Sequence, residues 1–290
     1  MDETKKIILL PNAQRDIEFE ATRRVGEILR KHGKTAVFCP VFEDDVTEYT
    51  PPPDLKEVAI EDEVSSAELI ITFGGDGTIL RAARAVADAG VPILGVNLGG
   101  KGFMAEVEAG DIAMIDRALT DGFKLESRMM LDVVVIRDGD EVHSDFALND
   151  VVIKGDNKVI DLLLSGDGQR ISHFSGDGAV IATPTGSTAY SMAAGGPIVE
   201  PSAHNIIVTP ICAHTLEAKS FVLTSDRRVS VEIGQRKNNP AYMSVDGGEH
   251  VGIKSGDVVL VFKSERYTQI VRLSSMSFYK KVSEKLGEKP

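Results

Sequence analysis

The sharpest chemical signal in the sequence is the run Phe73-Gly74-Gly75-Asp76-Gly77-Thr78. An apolar stretch precedes it and a helical period follows. The run therefore sits at the C-terminal end of a strand, where open α/β sheets bind their ligands. Glycines permit a tight turn and close backbone approach to a phosphate. The helix N-terminus that follows offers unpaired N–H groups and a partial positive charge. Thr78 can cap that helix or bond a phosphate oxygen. Asp76 is the informative member, because a carboxylate beside a phosphate cradle repels its ligand. It calls for a proton to accept or a metal to meet. The plainer alternative is a strand–helix turn in which Asp76 only caps the backbone. The lysine of a G-x-x-x-x-G-K-[ST] phosphate loop is absent.

Three further runs carry chemistry only in combination. Gly95-Val96-Asn97-Leu98-Gly99-Gly100-Lys101-Gly102-Phe103 is a second glycine-rich loop after the next strand, placed to flank the same crevice. Leu148-Asn149-Asp150 lies between strand-like runs, and an Asn-Asp pair can hold a ribose diol, although such a pair is also an ordinary turn. The run from Gly176 to Pro197 reads as turn, strand, turn, short helix and turn. Ser187 or Thr188 would cap that helix, and Gly195-Gly196-Pro197 would end it. Tyr190, near the cap, has a ring that can stack on a ligand or simply pack.

The elements that must position these residues fall into two halves. Lys5–Leu10, Thr35–Val41, Glu68–Phe73 and Val91–Val96 read as buried strands. Ile17, Ala21, Val25, Ile28 and Leu29 recur at helical spacing with Gly33 as the stop, and Thr78–Ala89 forms another helix. This βαβ rhythm predicts a parallel sheet with helices on both faces. Glu43–Asp54, acidic and proline-rich, is expected as a surface loop. After Gly122, short strand-like runs dominate, separated by turns such as Arg137–Asp140 and Ser165–Gly168, which predicts an all-β sandwich. The expected division is an α/β domain over 1–123 and a β-sandwich domain over 124–274. A helix within 275–290 would pack back on either. No internal repeat is visible.

Composition narrows the class. With 42% apolar and 26% charged residues, the chain has material for more than one core. The net charge of −12 repels nucleic acid and anionic lipid at long range, so neither is expected as a partner. It does not exclude a phosphate ligand, because backbone N–H groups and a cation can hold one. No apolar run approaches the roughly 18 residues of a membrane span. Two distant cysteines, Cys39 and Cys212, suit free thiols in a reducing cytoplasm. The six histidines show no zinc-ligand spacing, so no protein metal ligand is assigned.

Taken together, the glycine runs at 74–78 and 97–103, Asn149-Asp150 and the hydroxyl-rich run 176–197 closely resemble the NAD kinase family. Ile211-Cys212-Ala213-His214, Ser244-Val245-Asp246-Gly247 and the ending FYKKVSEKLG extend the resemblance over residues 5–287. The GGDGT signature is shared with lipid kinases, and a related form occurs in phosphofructokinases, whereas 176–197 is far more specific. The resemblance implies an α/β domain of the diacylglycerol-kinase and phosphofructokinase type followed by a β-sandwich. It implies NAD as acceptor bound between domains, ATP as the usual donor, a divalent cation such as Mg²⁺, and a homo-oligomer, commonly a dimer or tetramer. By motif position Asp76 matches the proton acceptor. Gly74, Gly75, Gly77 and Thr78 match the phosphate-contacting turn, and Asn97 belongs to the second loop. Asn149 and Asp150 match the ribose pair. Asp177, Thr188, Ala189, Tyr190, Ser191, Met192 and Ala193 match the lining of the NAD site, and Ala213 is assigned to it as well.

Three positions depart from the family pattern. Asp150 stands where glutamate is usual, Ser175 where a basic residue is common, and Lys101 where the loop is usually apolar. A lipid kinase would share the phosphate loop, but it needs a long apolar pocket, which the hydroxyls of 183–191 argue against. A dinucleotide sensor without turnover would have no use for Asp76.

Overall fold

The computed structural model describes residues 5–41, 54–100, 102–215, 218–234, 239–273 and 278–287. Residues 43–53 of the expected acidic loop and Lys101 lie outside the described residues. The chain divides into two compact units, residues 1–127 with 268–290, and residues 128–267.

In the first unit, Lys6–Pro11 (β1), Thr35–Phe38 (β2), Ala67–Gly74 (β3) and Ile93–Asn97 (β4) form a parallel sheet in the order β2-β1-β3-β4. Val107–Glu108 (β5) pairs with β4. All five residues of β4 are buried, and so are all but the first residue of β1 and the first two of β3. Strands covered on both faces read as continuous apolar runs, which is why they are visible in sequence.

The helices are Glu20–Lys31 (α1), Ile60–Glu63 (α2), Asp76–Ala85 (α3) and Ala113–Asp121 (α4). In α1, Ala21, Val25 and Leu29 recur every fourth position and are buried. The buried Asp16 carboxylate accepts the N–H groups of Ala21 and Thr22 at 2.9 and 3.0 Å and so anchors the helix start. The left-handed Gly33 follows its end. The sequence reading passed over α4, whose buried face amounts to Ile115 and Ala118. Ile7, Leu9, Val25, Leu29, Ile71, Phe73, Leu94 and Val96 are central to the core.

The remaining strands are Lys124–Arg137 (β6), Asp140–Ala147 (β7), Asp150–Gly155 (β8), Ile160–Gly166 (β9), Gln169–Gly176 (β10), Gly178–Ala182 (β11), Asn205–Ile211 (β12), Phe221–Thr224 (β13), Val229–Ile233 (β14), Ala241–Val245 (β15), Val251–Ile253 (β16) and Val258–Arg272 (β17). Within the second unit they make two layers. One is an antiparallel sheet in the order β13-β12-β11-β8-β15-β16. The other runs β10-β9-β14-β17, with β6 beside β17 and β7 beside β6. Leu131, Val133, Val151, Ile153, Leu162, Leu164, Val231 and Val259 belong to the core of this sandwich. Asp138-Gly139 and Asp167-Gly168 both adopt left-handed backbone, the geometry of tight hairpin turns, at the turns expected from sequence.

The crossings between units differ from the expected 123 and 274. They fall at 127 and 267, inside β6 and β17. Each strand begins in one unit and ends in the other, so no loop composition marks either crossing. The end of β17 belongs to the first unit, where Ile270 pairs in parallel with Ile93. The last helix, Phe278–Leu286 (α6), is in that unit too.

Phe73 is fully buried immediately before the glycine turn. Phe73→Ala should cost about 3–5 kcal/mol in denaturant unfolding. A cost below about 1 kcal/mol would mean that the site can collapse around the lost ring.

Candidate active site

The parallel pairing of β3 with β4 sets Gly74 directly beside Asn97. Both glycine-rich loops therefore leave the sheet side by side at the C-terminal strand ends, and Leu98 N–H donates to Gly74 O at 2.9 Å. Gly75 is the N-cap of α3, with extended backbone. No side chain caps this helix, so of the two roles open to Thr78 the capping one is not taken. Thr78 is buried and its hydroxyl packs against Gly74, where a side chain at position 74 would collide with it. Thr78 N–H donates to Gly75 O at 3.0 Å, while no side chain covers the start of α3 at Asp76 and the exposed Gly77, as an anion-binding helix N-terminus requires.

Asp76 is held by the second loop. Phe103 N–H donates to its Oδ2 at 2.7 Å, and Met104 N–H donates to its Oδ1 at 3.1 Å. A Cβ at Gly102 would lie 2.5 Å from Asp76 Oδ1, so glycine is what lets the loop close over the carboxylate. A carboxylate has about four acceptor positions, so two backbone bonds leave room for a hydroxyl. Asn97 is committed to the loop itself. Its amide donates to Gly100 O at 3.3 Å and to Glu108 Oε2 at 2.8 Å, and it is buried.

In the second unit, Asn149, Asp150, Ala189 and Tyr190 line one cavity of about 350 Å³. Val152, Lys154, Tyr242, Ser244, Asp246 and Gly247 complete it and were not assigned to the site from sequence. Alternation would have found most of them, because Asp150, Val152 and Lys154 on β8 face one way, opposite Ser244 and Tyr242 on β15. Tyr242 stacks on His250 with centroids 3.9 Å apart, so one face of its ring is already covered.

Asp246 organises the Asn149-Asp150 pair. Its Oδ2 accepts Leu148 N–H at 2.8 Å, and its Oδ1 accepts Asn149 N–H at 2.7 Å and Asp150 N–H at 3.0 Å. Gly186 approaches the Asn149 carbonyl so closely that no side chain fits between them. Burial, and then the charge of Asp246, push the Asp150 carboxyl up from 3.8 to about 7.

The other assigned residues do not line this cavity. Asp177 joins β10 to β11, its N–H bonded to Ile211 O at 3.0 Å. Ser191 is buried and bonds Thr209 Oγ1 at 3.0 Å. Thr188 donates to Thr185 O at 3.2 Å, and Ser187 donates to Pro184 O at 2.7 Å. Neither caps the short helix Tyr190–Ala193 (α5), whose N-cap is Ala189. Met192 and Ala193 continue α5 outside the lining, and Ala213 packs toward the sandwich core. Ser175, the departure from a basic residue, donates its hydroxyl to Asp161.

Comparison with known proteins fits this arrangement. Residues 7–124 match the model of the ATP-NAD kinase N-terminal domain, and residues 148–273 match that of the C-terminal domain. The NAD kinase of Acetivibrio thermocellus is 39% identical over 278 residues, covering 94% of each chain. The chain belongs to the NAD kinase family. It is a kinase that converts NAD to NADP with ATP. The NAD kinase of Symbiobacterium thermophilum is 41% identical over 223 residues, covering 76% of this chain and 78% of the relative. Two solved structures share the fold. Yeast NADH kinase complexed with NADH has a TM-score of 0.85 at 23% identity, over 99% of this chain and 88% of the other. An NAD kinase from Archaeoglobus fulgidus in complex with ATP has a TM-score of 0.74 at 23% identity, over 97% and 98%.

Two expectations follow. Gly102→Ala should displace Asp76 and lower turnover at least about tenfold, since small misplacements of a reacting group are costly. Unchanged turnover would show that the loop yields without moving the carboxylate. Asp150 holds its proton more tightly in the folded protein than in the unfolded chain. Its contribution to stability therefore falls as pH rises from about 4 to about 7. Asp150→Asn should flatten the decline of the thermal midpoint over that window, and identical slopes in both proteins would contradict the shift.

Proposed function

We propose that the protein transfers the terminal phosphoryl group of ATP to the 2′-hydroxyl of the adenosine ribose of NAD, and that Asp76 orients the attacking oxygen. The observation that carries this reading is the carboxylate of Asp76, fixed by two N–H groups next to an uncapped helix start. The α3 N-terminus and the Gly74–Gly77 turn receive donor phosphate oxygens. Asp76 accepts a hydrogen bond from the hydroxyl and directs a lone pair in line with the phosphorus. A loose transition state lets proton transfer come late, so a weakly basic carboxylate suffices. Positioning and charge stabilisation then supply most of the acceleration.

Mg²⁺ fits this chemistry as part of the donor. Among the described residues no group of three or more His, Cys, Asp or Glu side chains forms a metal cage. Mg²⁺ bound to nucleotide phosphates needs few protein ligands. When bound, it neutralises charge on the donor phosphates.

Asn149 and Asp150 hold a ribose by its hydroxyls, and Tyr190 offers a ring to a base. The raised pKa of Asp150 makes this carboxyl a donor below about pH 7 and an acceptor above it. The NADH-bound yeast kinase and the ATP-bound archaeal kinase support two nucleotide substrates. A homo-oligomer, dimer or tetramer, in the cytoplasm completes the reading, and light scattering on the purified protein checks the oligomer. No helix among the described residues is long and apolar enough to cross a membrane.

The test is NADP formation from NAD, ATP and Mg²⁺. Asp76→Asn should lower kcat by about 100-fold or more while KM for NAD stays within about threefold. Equal losses in binding and turnover would assign Asp76 to binding instead. Asn149→Ala should raise KM for NAD and admit phosphorylation at the 3′-hydroxyl. Unchanged kinetics and regiochemistry would remove the ribose role.

A further inference from the structure

The segment that grips Asp76 is itself gripped from the far end of the chain. Residues 102–105 have no helix or strand, and regular pairing resumes only where Glu106 N–H donates to Gly95 O at 3.0 Å and Val107 pairs with Val96. Arg272, Leu273 and Lys281 supply the missing support. Arg272 Nη1 donates to Met104 O at 2.9 Å and to Glu106 Oε2 at 3.1 Å. Lys281 Nζ, on α6, donates to Ala105 O at 3.3 Å and to Glu106 Oε2 at 3.1 Å. Leu273 N–H donates to Glu106 Oε1 at 3.1 Å, and Arg272 Nε pairs with Glu126 at 2.6 Å.

Glu106 is 1% exposed at its side chain, and Arg272 and Lys281 are each 13% exposed. Charges this sheltered from solvent are held in a definite geometry, unlike surface pairs. Met104 is thus bonded on both sides, its N–H to Asp76 and its carbonyl to Arg272. Burial first, and then the neighbouring Arg272, hold the Lys281 ammonium below the usual lysine range.

We infer that Glu106, Arg272 and Lys281 are positioning residues for the Asp76 carboxylate, transmitting the placement of α6 to the phosphoryl-transfer turn through the peptide groups of Met104 and Ala105. The inference rests on the role proposed for Asp76. It assigns α6 a part in turnover without contact to substrate. Loosening Met104 frees one Asp76 oxygen, and a misplacement of about 1 Å at a reacting group costs on the order of 100-fold.

The experiment compares Lys281→Met, Lys281→Arg and Arg272→Lys with the parent, by steady-state kinetics and by amide hydrogen exchange of the peptide spanning 102–106. Lys281→Met should lower kcat about 10- to 100-fold, with KM for NAD and for ATP within about twofold. Exchange at Phe103 and Met104 should accelerate in parallel. Lys281→Arg keeps a charged donor and should recover most of the turnover. Arg272→Lys keeps the charge but loses the two-pronged grip and should fall between. It decides the matter if Lys281→Met fails to fold. Parental kcat and parental exchange in folded Lys281→Met or Arg272→Lys would overturn the inference. So would a lowered kcat with unchanged exchange at Phe103 and Met104. A parent that forms no NADP would instead overturn the reading of the reaction, and the exchange comparison would still decide whether the cluster holds Asp76.

Discussion

The N–H groups of Phe103 and Met104 meet the two oxygens of Asp76 at 2.7 and 3.1 Å, and this pair of bonds turns two adjacent loops into one site. Without it, the glycine turn after β3 and the loop after β4 would be joined only where they leave the sheet, at the Gly74–Asn97 pairing and the Leu98 N–H to Gly74 O bond. The sheet makes the contact possible by pairing Gly74 with Asn97. Gly102 makes it close, and Asn97, bonded to Gly100 and Glu108, keeps the intervening loop folded back. A charge-assisted bond to backbone N–H is strong for its size, and it constrains both oxygens of the carboxylate.

The second unit repeats the device with different elements. Asp246, in a left-handed turn conformation, takes three successive N–H groups from Leu148 to Asp150 and so fixes the start of β8. In both units an aspartate of one loop orders the backbone of another. The two carboxylates differ in what they leave behind. Asp76 stands beside a helix start that attracts anions, while Asp246 stands beside Asp150, whose proton affinity burial raises first and the Asp246 charge second. Phosphate chemistry suits the first setting, and sugar hydroxyls suit the second.

Much of this was legible in the sequence. The parallel strands were visible because both their faces are buried, and the hairpins because Asp-Gly pairs mark left-handed turns. The strands β7, β10, β13 and β16 carry a weaker signal, since they are short or carry polar residues on their outer face. Helix α4 was passed over because its buried face is so small. The glycine runs mark the turns after β3 and β4, but not the fact that Asp76 meets backbone N–H groups 27 and 28 residues away. Local patterning cannot show such pairings. For the same reason the bonds of Asp246 to the backbone of Leu148–Asp150, and the bracing of its own loop by Asn97, are invisible in the sequence. Neither unit crossing is marked by composition, because β6 and β17 pass through them without a break.

The order of the chain gives the bracing of Met104 a consequence for biosynthesis. Arg272 lies 168 residues after Met104, and Lys281 lies 175 residues after Glu106. Chains are made from the N-terminus at about 5–20 residues per second, and domains fold as units. The four parallel strands and the glycine turn are therefore complete well before their last supports exist. For on the order of ten seconds or more, the nascent sheet carries Glu106 without either of its cations. A buried carboxylate without partners is unfavourable, so the segment around it stays open to water until the whole sandwich has been made. Phosphoryl-transfer geometry is thus among the last features the growing chain acquires.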